Sequence, residues 1–439
     1  MRSRLVSPLV LTGLILAARL ASISPLSDPV AGAAPAALYL KIPWVYLVFA
    51  PVFTLWDGVS MLSMTRLVGF LGGMVALYLL WRVTRWLPSG KNSPGLRVRL
   101  LHELKVLVLS ATLFVAFVVI GAVWHRPMLS LAGTDANEIV VDFHSHTNVS
   151  HDVRDTWMRG FDAEANRRWH SRAGFDVAFI TDHNVSRQSS VVSNQSSVVS
   201  HQSSVVSHQS SAISRELRSS TVLCPGMEVS VWRAHIVLLG DTLPVDRSPY
   251  NKSLDGLLGL LATSDSVYGA LSLASLPEYR RNHWTRLDSL AAAGLDGFEI
   301  VNASPKANEL TRIEVDHVIN IARNHDRFVA GVSDSHGWGA TSMVWNLVRS
   351  PAESRQDPCS TVIQQLRTGF GSVRIIERHR LRPDDWWPMW VTPVGVVWET
   401  WRSMGWPLTT SWLVWIWTSA LLPWLRASRR RTRQPSATP

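Results

Sequence analysis

A chain of 439 residues is long enough for one catalytic domain of about 250 residues plus membrane segments, and 46% apolar against 17% charged residues is a low-charge balance for a soluble protein of that size. The formal charge is +10, yet residues 125–392 hold 26 Lys and Arg against 29 Asp and Glu, while the remainder holds 17 against 4. The positive excess therefore lies beside the apolar segments. That argues against nucleic-acid binding, which needs a basic face on the folded domain, and suits loops kept on the cytoplasmic side of a membrane.

The chain opens with four apolar runs: Leu5–Ser22 (interrupted by Arg19), about Leu38–Leu55, about Leu67–Trp81, and Val106–Trp124. A helix needs about 20 mostly apolar residues to cross a bilayer, so the uncharged fourth run is the strongest span. The second and third are separated only around Asp57-Gly58 and read as a tight helical hairpin. Met1-Arg2-Ser3-Arg4 resembles the basic start of a signal peptide, but Arg19 within the first run favours an uncleaved anchor. Cationic residues crowd the Arg82–Lys105 loop (Arg82, Arg85, Lys91, Arg97, Arg99, Lys105), which places it in the cytoplasm and leads the fourth run outward. A conflict remains. With Met1 inside and all three earlier runs spanning, that loop would lie outside, so one of them is interfacial or re-entrant, or the N-terminus is outside.

Residues 1–124 thus read as a membrane region and 138–385 as a folded domain. Strand candidates in the domain are Glu138–Asp142, Phe175–Ile180, Val222–Pro225, His235–Leu239, Ala270–Ala274, Gly294–Val301 and Phe328–Val332. Most are fully apolar, as in parallel strands covered by helices, and their alternation with helical stretches suggests an α/β barrel with catalysis at the C-terminal ends of the strands. Residues 188–211 repeat Gln-Ser-Ser-Val-Val-Ser with a period of seven. Too few apolar positions recur for a coiled coil, so the repeat reads as a disordered low-complexity insertion, and its His201 and His208 are not taken as ligands. The two cysteines, Cys224 and Cys359, read as packing residues. A single bridge is open to them if the domain is extracytoplasmic, but nothing in their spacing predicts it.

Ten of the 21 tryptophans fall between Trp386 and Trp424. Residues 386–425 therefore read as an interfacial belt running into a membrane helix at about Trp406–Leu425, and the Arg-rich residues 426–439 as a cytoplasmic tail. Both flanks put the domain outside a multi-pass membrane protein.

Polar residues gather at the strand ends. His144 and His146, at i and i+2 in extended chain, project to one side and can reach one metal. Asp152 follows, with His151 beside it. Further strands end in Asp182-His183, in Gly226-Met227-Glu228 with His235 beyond, and in Ser333-Asp334-Ser335-His336. Imidazole and carboxylate at successive strand ends suit a cluster of divalent ions, and a bridging Glu228 lets two ions act on one phosphate.

His144-Ser-His146-Thr, Ile180-Thr-Asp-His183-Asn, Pro225-Gly-Met-Glu228, Leu295-Asp-Gly-Phe-Glu-Ile-Val-Asn302 and Gly331-Val-Ser-Asp334-Ser-His336 together resemble the polymerase-and-histidinol-phosphatase (PHP) superfamily over roughly 250 residues. The resemblance implies a distorted seven-stranded α/β barrel with two or three divalent ions (zinc, manganese or iron) and phosphoester hydrolysis. It implies His144, His146, Glu228 and Asp334 on a first metal, Glu228 and His235 on a second, and Asp152, His183 and His336 on a third. The first motif is one residue longer than usual, and Asp152 is preferred to His151 as its ligand. After the fifth strand the family often has Ala-His-Pro, where this chain has Ala274-Ser275-Leu276-Pro277; either His283 substitutes from the following segment, or the second site is weak or completed by water. Arg281, with Arg280, is expected to clamp a phosphate oxygen. His183 or His235, if not ligated, would protonate the leaving oxygen. Expected partners are a phosphorylated small molecule or a lipid-linked or cell-envelope phosphate, and the bilayer. The competing readings are a non-phosphate hydrolase on the same metal scaffold and a non-catalytic membrane sensor with a degenerate site.

Overall fold

The structure, a computed structural model, describes residues 2–86, 95–156, 158–185, 221–240, 244–275, 279–350 and 357–431. The repeat at 188–211 and most of the basic tail lie outside the described residues.

The strands are β1 (Leu26–Ser27), β2 (Tyr39–Lys41), β3 (Ser130–Ala132), β4 (Glu138–Ser145), β5 (Val177–Ile180), β6 (Val222–Val231), β7 (Ala234–Leu239), β8 (Leu271–Ala274), β9 (Gly297–Asn302), β10 (Phe328–Val332), β11 (Val344–Arg349) and β12 (Val373–Arg378). Ten of them form one curled mixed sheet in the order β1-β12-β11-β4-β5-β6-β7-β8-β9-β10, while β2 and β3 pair by themselves. All seven strands expected from the sequence are present. Their pairing is not uniformly parallel, because β7 runs antiparallel to both β6 and β8. Trp232-Arg233 makes a two-residue hairpin turn in which Arg233 takes a φ of 51°. Three strands missing from the sequence reading, β11, β12 and β1, extend the sheet beyond β4 by antiparallel pairing.

The curl brings β10 round to β4. Asn346 on β11 accepts from Gly331 N–H (2.8 Å) and donates to Gly331 O (2.5 Å) and Val141 O (2.9 Å). Beyond the strand, Asp334 N–H bonds His144 O and His146 N–H bonds Ser335 O, each at 2.9 Å. Two strand ends far apart in sequence thus meet at one rim. Beneath it, Phe143, Phe179, Phe298 and Phe328 pack with the aliphatic faces of the helices Leu254–Tyr268 and Arg312–Asn324 in one core.

Cys224 and Cys359 form a disulfide that ties β6 to the helix Pro358–Leu366 across 135 residues. This corrects their reading as packing residues; a separation that long carries no local signal. Closing such a loop restricts the unfolded chain. Cys359→Ser, or full reduction, is expected to remove about 2–4 kcal/mol and lower the thermal midpoint by about 5–15 °C. An unchanged midpoint in calorimetry would contradict a stabilising bridge.

Two helices are long and apolar enough to cross a membrane, Met64–Thr84 and Arg97–Gly121, and Val6–Leu20 is apolar but shorter. Trp406–Arg431 is one continuous helix, but Trp, Thr, Ser and Pro dilute its aliphatic residues and it is not among them. The second apolar run is not a span. It breaks into β2 and two short helices, Trp44–Val48 and Ala50–Ser60, preceded or opened by Pro43 and Pro51. Tyr46, Ala50 and Phe53 pack there against Ile15, Ala18, Trp401 and Trp412. The tryptophan belt is correspondingly split: Trp401 and Trp412 are core residues, while Trp386 and Trp390 are 75% and 66% exposed.

Two buried charges hold this region to the domain. Asp57 accepts from Arg126 Nη1 (2.7 Å), Arg378 Nη1 (2.9 Å) and the Tyr46 hydroxyl (2.9 Å). Arg66, at the head of the Met64–Trp86 helix, donates to the carbonyls of Arg382, Pro383, Asp385 and Trp387. The same helix lies so close to the 389–390 turn that a Cβ on Gly69 would stand 2.6 Å from Met389 O.

Candidate metal centre

β4 delivers His144 and His146 to the rim, both buried. The helix Ala163–Ala173 braces them from outside. It is capped by Asp162, which accepts from Ala165 N–H, and ends at Gly174 in the left-handed region. That frame directs Asn166 and His170, one turn apart, inward. Asn166 Nδ2 donates to His146 O (2.9 Å), and His170 Nε2 meets Asp142 Oδ2 (2.8 Å). Asp142 in turn accepts from Ser333 N–H (3.0 Å) and from the Ser333 hydroxyl, which ties the loop after β10 to the base of β4. Asp334 sits there at φ 45°, a left-handed position that a non-glycine residue adopts only when its surroundings enforce it.

The donor atoms converge. His144 Nε2 is 3.1 Å from His146 Nε2, 3.1 Å from Glu228 Oε2 and 3.6 Å from Asp334 Oδ1. His146 Nε2 is 3.3 Å from the same Glu228 oxygen and 3.2 Å from the same Asp334 oxygen. Ligands at zinc-type bond lengths in a tetrahedron stand roughly 3.3 Å apart. Five of the six edges of such a cage are therefore present in side chains alone.

Glu228 faces a second group. Its Oε1 lies 2.9 Å from His235 Nδ1, and its Oε2 lies 3.3 Å from His183 Nε2. A third group forms around Asp152, whose Oδ2 is 3.1 Å from His183 Nε2 and 2.6 Å from His336 Nε2. All eight expected ligands fall into three groups able to hold an ion: His144, His146 and Asp334; His183, Glu228 and His235; and His146, Asp152, His183 and His336.

Charge follows the geometry. Burial works against charge on His144, but Glu228, Asp334 and Glu299 outweigh it and hold the imidazole well above its usual range. Burial likewise opposes charge on His336, and Asp334 and Asp152 push it up to about 9. Burial would raise Glu228, Asp152 and Asp334, yet the surrounding imidazoles hold all three below the ordinary carboxylate range. Clustered carboxylates of this kind call for positive charge within the cluster.

The finer expectations divide. Asp152, not His151, enters the cluster; His151 stays exposed with its ring 5.1 Å from that of His183. His283 is buried with its ring 5.4 Å from Trp232 and belongs to none of the three groups. His183 is the third member of the group that holds Glu228 and His235. Arg281 is exposed on the π-turn Tyr279–His283, and among the described residues no hydrogen bond or ion pair ties it to the cluster. Arg280 is directed to Glu314, at 3.3 Å.

Glu299 was not read as a site residue. It is wholly buried on β9, its Oε1 is 2.7 Å from His144 Nδ1, and Asn302 Nδ2 holds its other oxygen at 3.0 Å. The signal was present as a lone carboxylate inside an apolar strand. An acid behind a ligating imidazole fixes its tautomer and raises its basicity. Glu299→Gln is expected to weaken metal affinity about 10–100-fold, measured by competition with a chromogenic chelator; unchanged affinity would contradict this role.

No protein-family model matches this chain, and neither does any curated protein. Solved structures of similar shape include PsfC from Pseudomonas syringae PB-5123, at 15% identity over 60% of this chain and 97% of its own, with a TM-score of 0.33. A proposed metal-dependent phosphoesterase from Bifidobacterium adolescentis matches at 16% identity over 52% of this chain and 96% of its own, TM-score 0.31. An amidohydrolase from Chromobacterium violaceum, with bound sulfate and no metal, matches at 15% over 57% and 99%, TM-score 0.28. Likeness at this level says nothing about chemistry, which has to come from the side chains themselves.

Proposed function

We propose that residues 138–385 form a metal-dependent hydrolase of the PHP type acting on a phosphoester, held at the outer face of a membrane by the flanking helices. The observation that carries this reading is the convergence of His144, His146 and Asp334, whose donor atoms lie 3.1–3.6 Å apart, with Glu228 3.1 and 3.3 Å from the two imidazoles.

Those four residues would hold one ion, Glu228 and His235 a second, and Asp152 and His336 a third, with His183 serving either of the last two. Bound divalent ions supply a water that ionises near neutral pH and positive charge to offset the phosphoryl oxygens. Glu299 keeps the distal nitrogen of His144 turned toward the cage, and Asp142 keeps the Asp334 loop against β4. If left unligated, His235, with its side chain 35% exposed at the open side of the cluster, would return a proton to the leaving oxygen. Arg281, on the turn that Asn282 fastens to Arg233 O (3.1 Å), would meet a phosphate oxygen only by reaching inward.

The proposed membrane placement has Leu38–Leu55 folded against the domain instead of spanning. In it Arg2–Leu20 would lead out, Met64–Trp86 in, Leu96–Val123 out and Trp406–Arg431 in, which would leave the Arg-rich ends on the cytoplasmic side; of these four, Met64–Trp86 and Leu96–Val123 contain the two stretches long and apolar enough to cross. The Cys224–Cys359 disulfide fits an oxidising compartment.

Imidazoles held protonated must lose their protons to bind an ion. Affinity for zinc or manganese is therefore expected to rise with pH until His336 passes its pKa of about 9. Calorimetric titration in buffers of different ionisation enthalpy would register about two protons released per chain at pH 7; none released would contradict the assignment. The function is tested on detergent-solubilised full chain with manganese. Turnover of p-nitrophenyl phosphate or its bis ester supports a phosphoesterase. Turnover of p-nitrophenyl acetate alone would point to another ester, and none at all to a sensor.

A further inference from the structure

The domain-side ends of both long apolar helices attach to the same rim that carries the metal cluster. Met64 N–H bonds Pro305 O (2.9 Å), Thr65 N–H bonds Glu309 Oε1 (2.7 Å) and Asn308 Nδ2 bonds Met61 O (2.8 Å). Residues 305–309 follow the C-terminal end of β9, next to Asn302 and Glu299. At the other helix, Leu96–Val123 runs out into Trp124, which is 47% exposed, and then His125. The His125 ring is 4.1 Å from that of Trp338, two residues beyond His336.

Cationic groups stand at this junction. Arg172 Nη1 donates to His125 O (2.9 Å), and the Arg168 guanidinium lies 5.8 Å from the Trp338 ring. The Arg168 side chain is 57% exposed and its nearest carboxylate, Glu164, is 3.8 Å away. Exposed Trp386 and Trp390 flank the Met64 helix through the turn packed on Gly69, where amphipathic rings mark a membrane–water boundary.

From this placement we infer that the metal centre acts on a phosphoester borne by a membrane amphiphile, its head entering the rim beside Trp338 and Arg168 while its chain stays in the bilayer. The inference rests on the hydrolase reading and narrows its substrate class. A site serving soluble substrate gains nothing from opening on the side where its spans emerge, since the opposite end of the sheet, at Glu138, Val222 and Phe328, is the end away from them. Arginines at the boundary complement an anionic head group. The step is a hydrolysis: the bond from phosphorus to the lipid alcohol oxygen breaks, water oxygen bonds to phosphorus, and a proton passes to the departing alcohol.

The test uses full chain in phosphatidylcholine vesicles. The native cysteines are paired, so Arg168→Cys and, at the opposite end, exposed Asn324→Cys each take one bimane label. A nitroxide on the lipid head group is expected to remove most emission at 168 and leave that at 324 unchanged; equal quenching overturns the inference. A second arm compares vesicle-borne dioleoyl phosphatidic acid with soluble glycerol 3-phosphate, with manganese. The lipid ester is expected to show kcat/KM higher by about ten-fold or more, through effective concentration at a surface. Equal or better turnover of the soluble ester overturns the inference and leaves the hydrolase reading standing. No turnover of any phosphoester, p-nitrophenyl phosphate included, overturns both.

Discussion

Asp334→Asn is expected to empty much of the cage and cut turnover by about 10³-fold or more, while circular dichroism and the thermal midpoint stay near wild type. The change is isosteric and keeps the backbone bond from Asp334 N–H to His144 O. It removes the charge 3.2 Å from His146 Nε2 and 3.6 Å from His144 Nε2. A neutral amide is a poorer ligand for a hard divalent ion than a carboxylate. Retained metal together with retained activity would show that Asp334 is not a ligand.

The second large effect lies at Asp57, far from the cluster in sequence. Asp57→Asn is expected to destabilise the chain by about 3–5 kcal/mol, because two buried guanidiniums lose their shared counter-charge. Arg126 and Arg378 have side-chain exposures of 1% and 9% and both contact the Asp57 carboxylate. Thermal unfolding in detergent measures the loss. Adding Arg126→Met to Asp57→Asn should recover part of it, since one stranded charge is then gone; additive losses would contradict a coupled network. Arg126 also contacts the Thr341 hydroxyl, five residues past His336, so the same network steadies the loop bearing the third group.

The residues that gather at the rim were legible because their chemistry recurs after apolar strands. His144, His146, His183, Glu228 and Asp334 could be placed before any fold was known. Less legible were features whose signal is tertiary. β11 carries Asn346 in its middle and β12 carries Arg374, Glu377 and Arg378, which hides both from a hydropathy reading, although Asn346 is polar because it stitches β10 to β4. The β6–β7 hairpin turns on Trp232-Arg233 with none of the Gly or Asn that marks such turns. Asp57 read as a break between spans because burial of a carboxylate depends on partners 69 and 321 residues away. Leu38–Leu55 read as a span because composition does not distinguish lipid from a protein core.

Whether these imidazoles and carboxylates form a metal centre is tested most directly by counting ions. Full chain purified in detergent, equilibrated with micromolar zinc or manganese and desalted, is assayed by plasma mass spectrometry. The expected result is about two or more ions per chain, falling sharply when His144 and His146 are both replaced by Ala. Fewer than about 0.2 ions per chain, at an affinity no better than that double variant's, would contradict a metal centre at this rim.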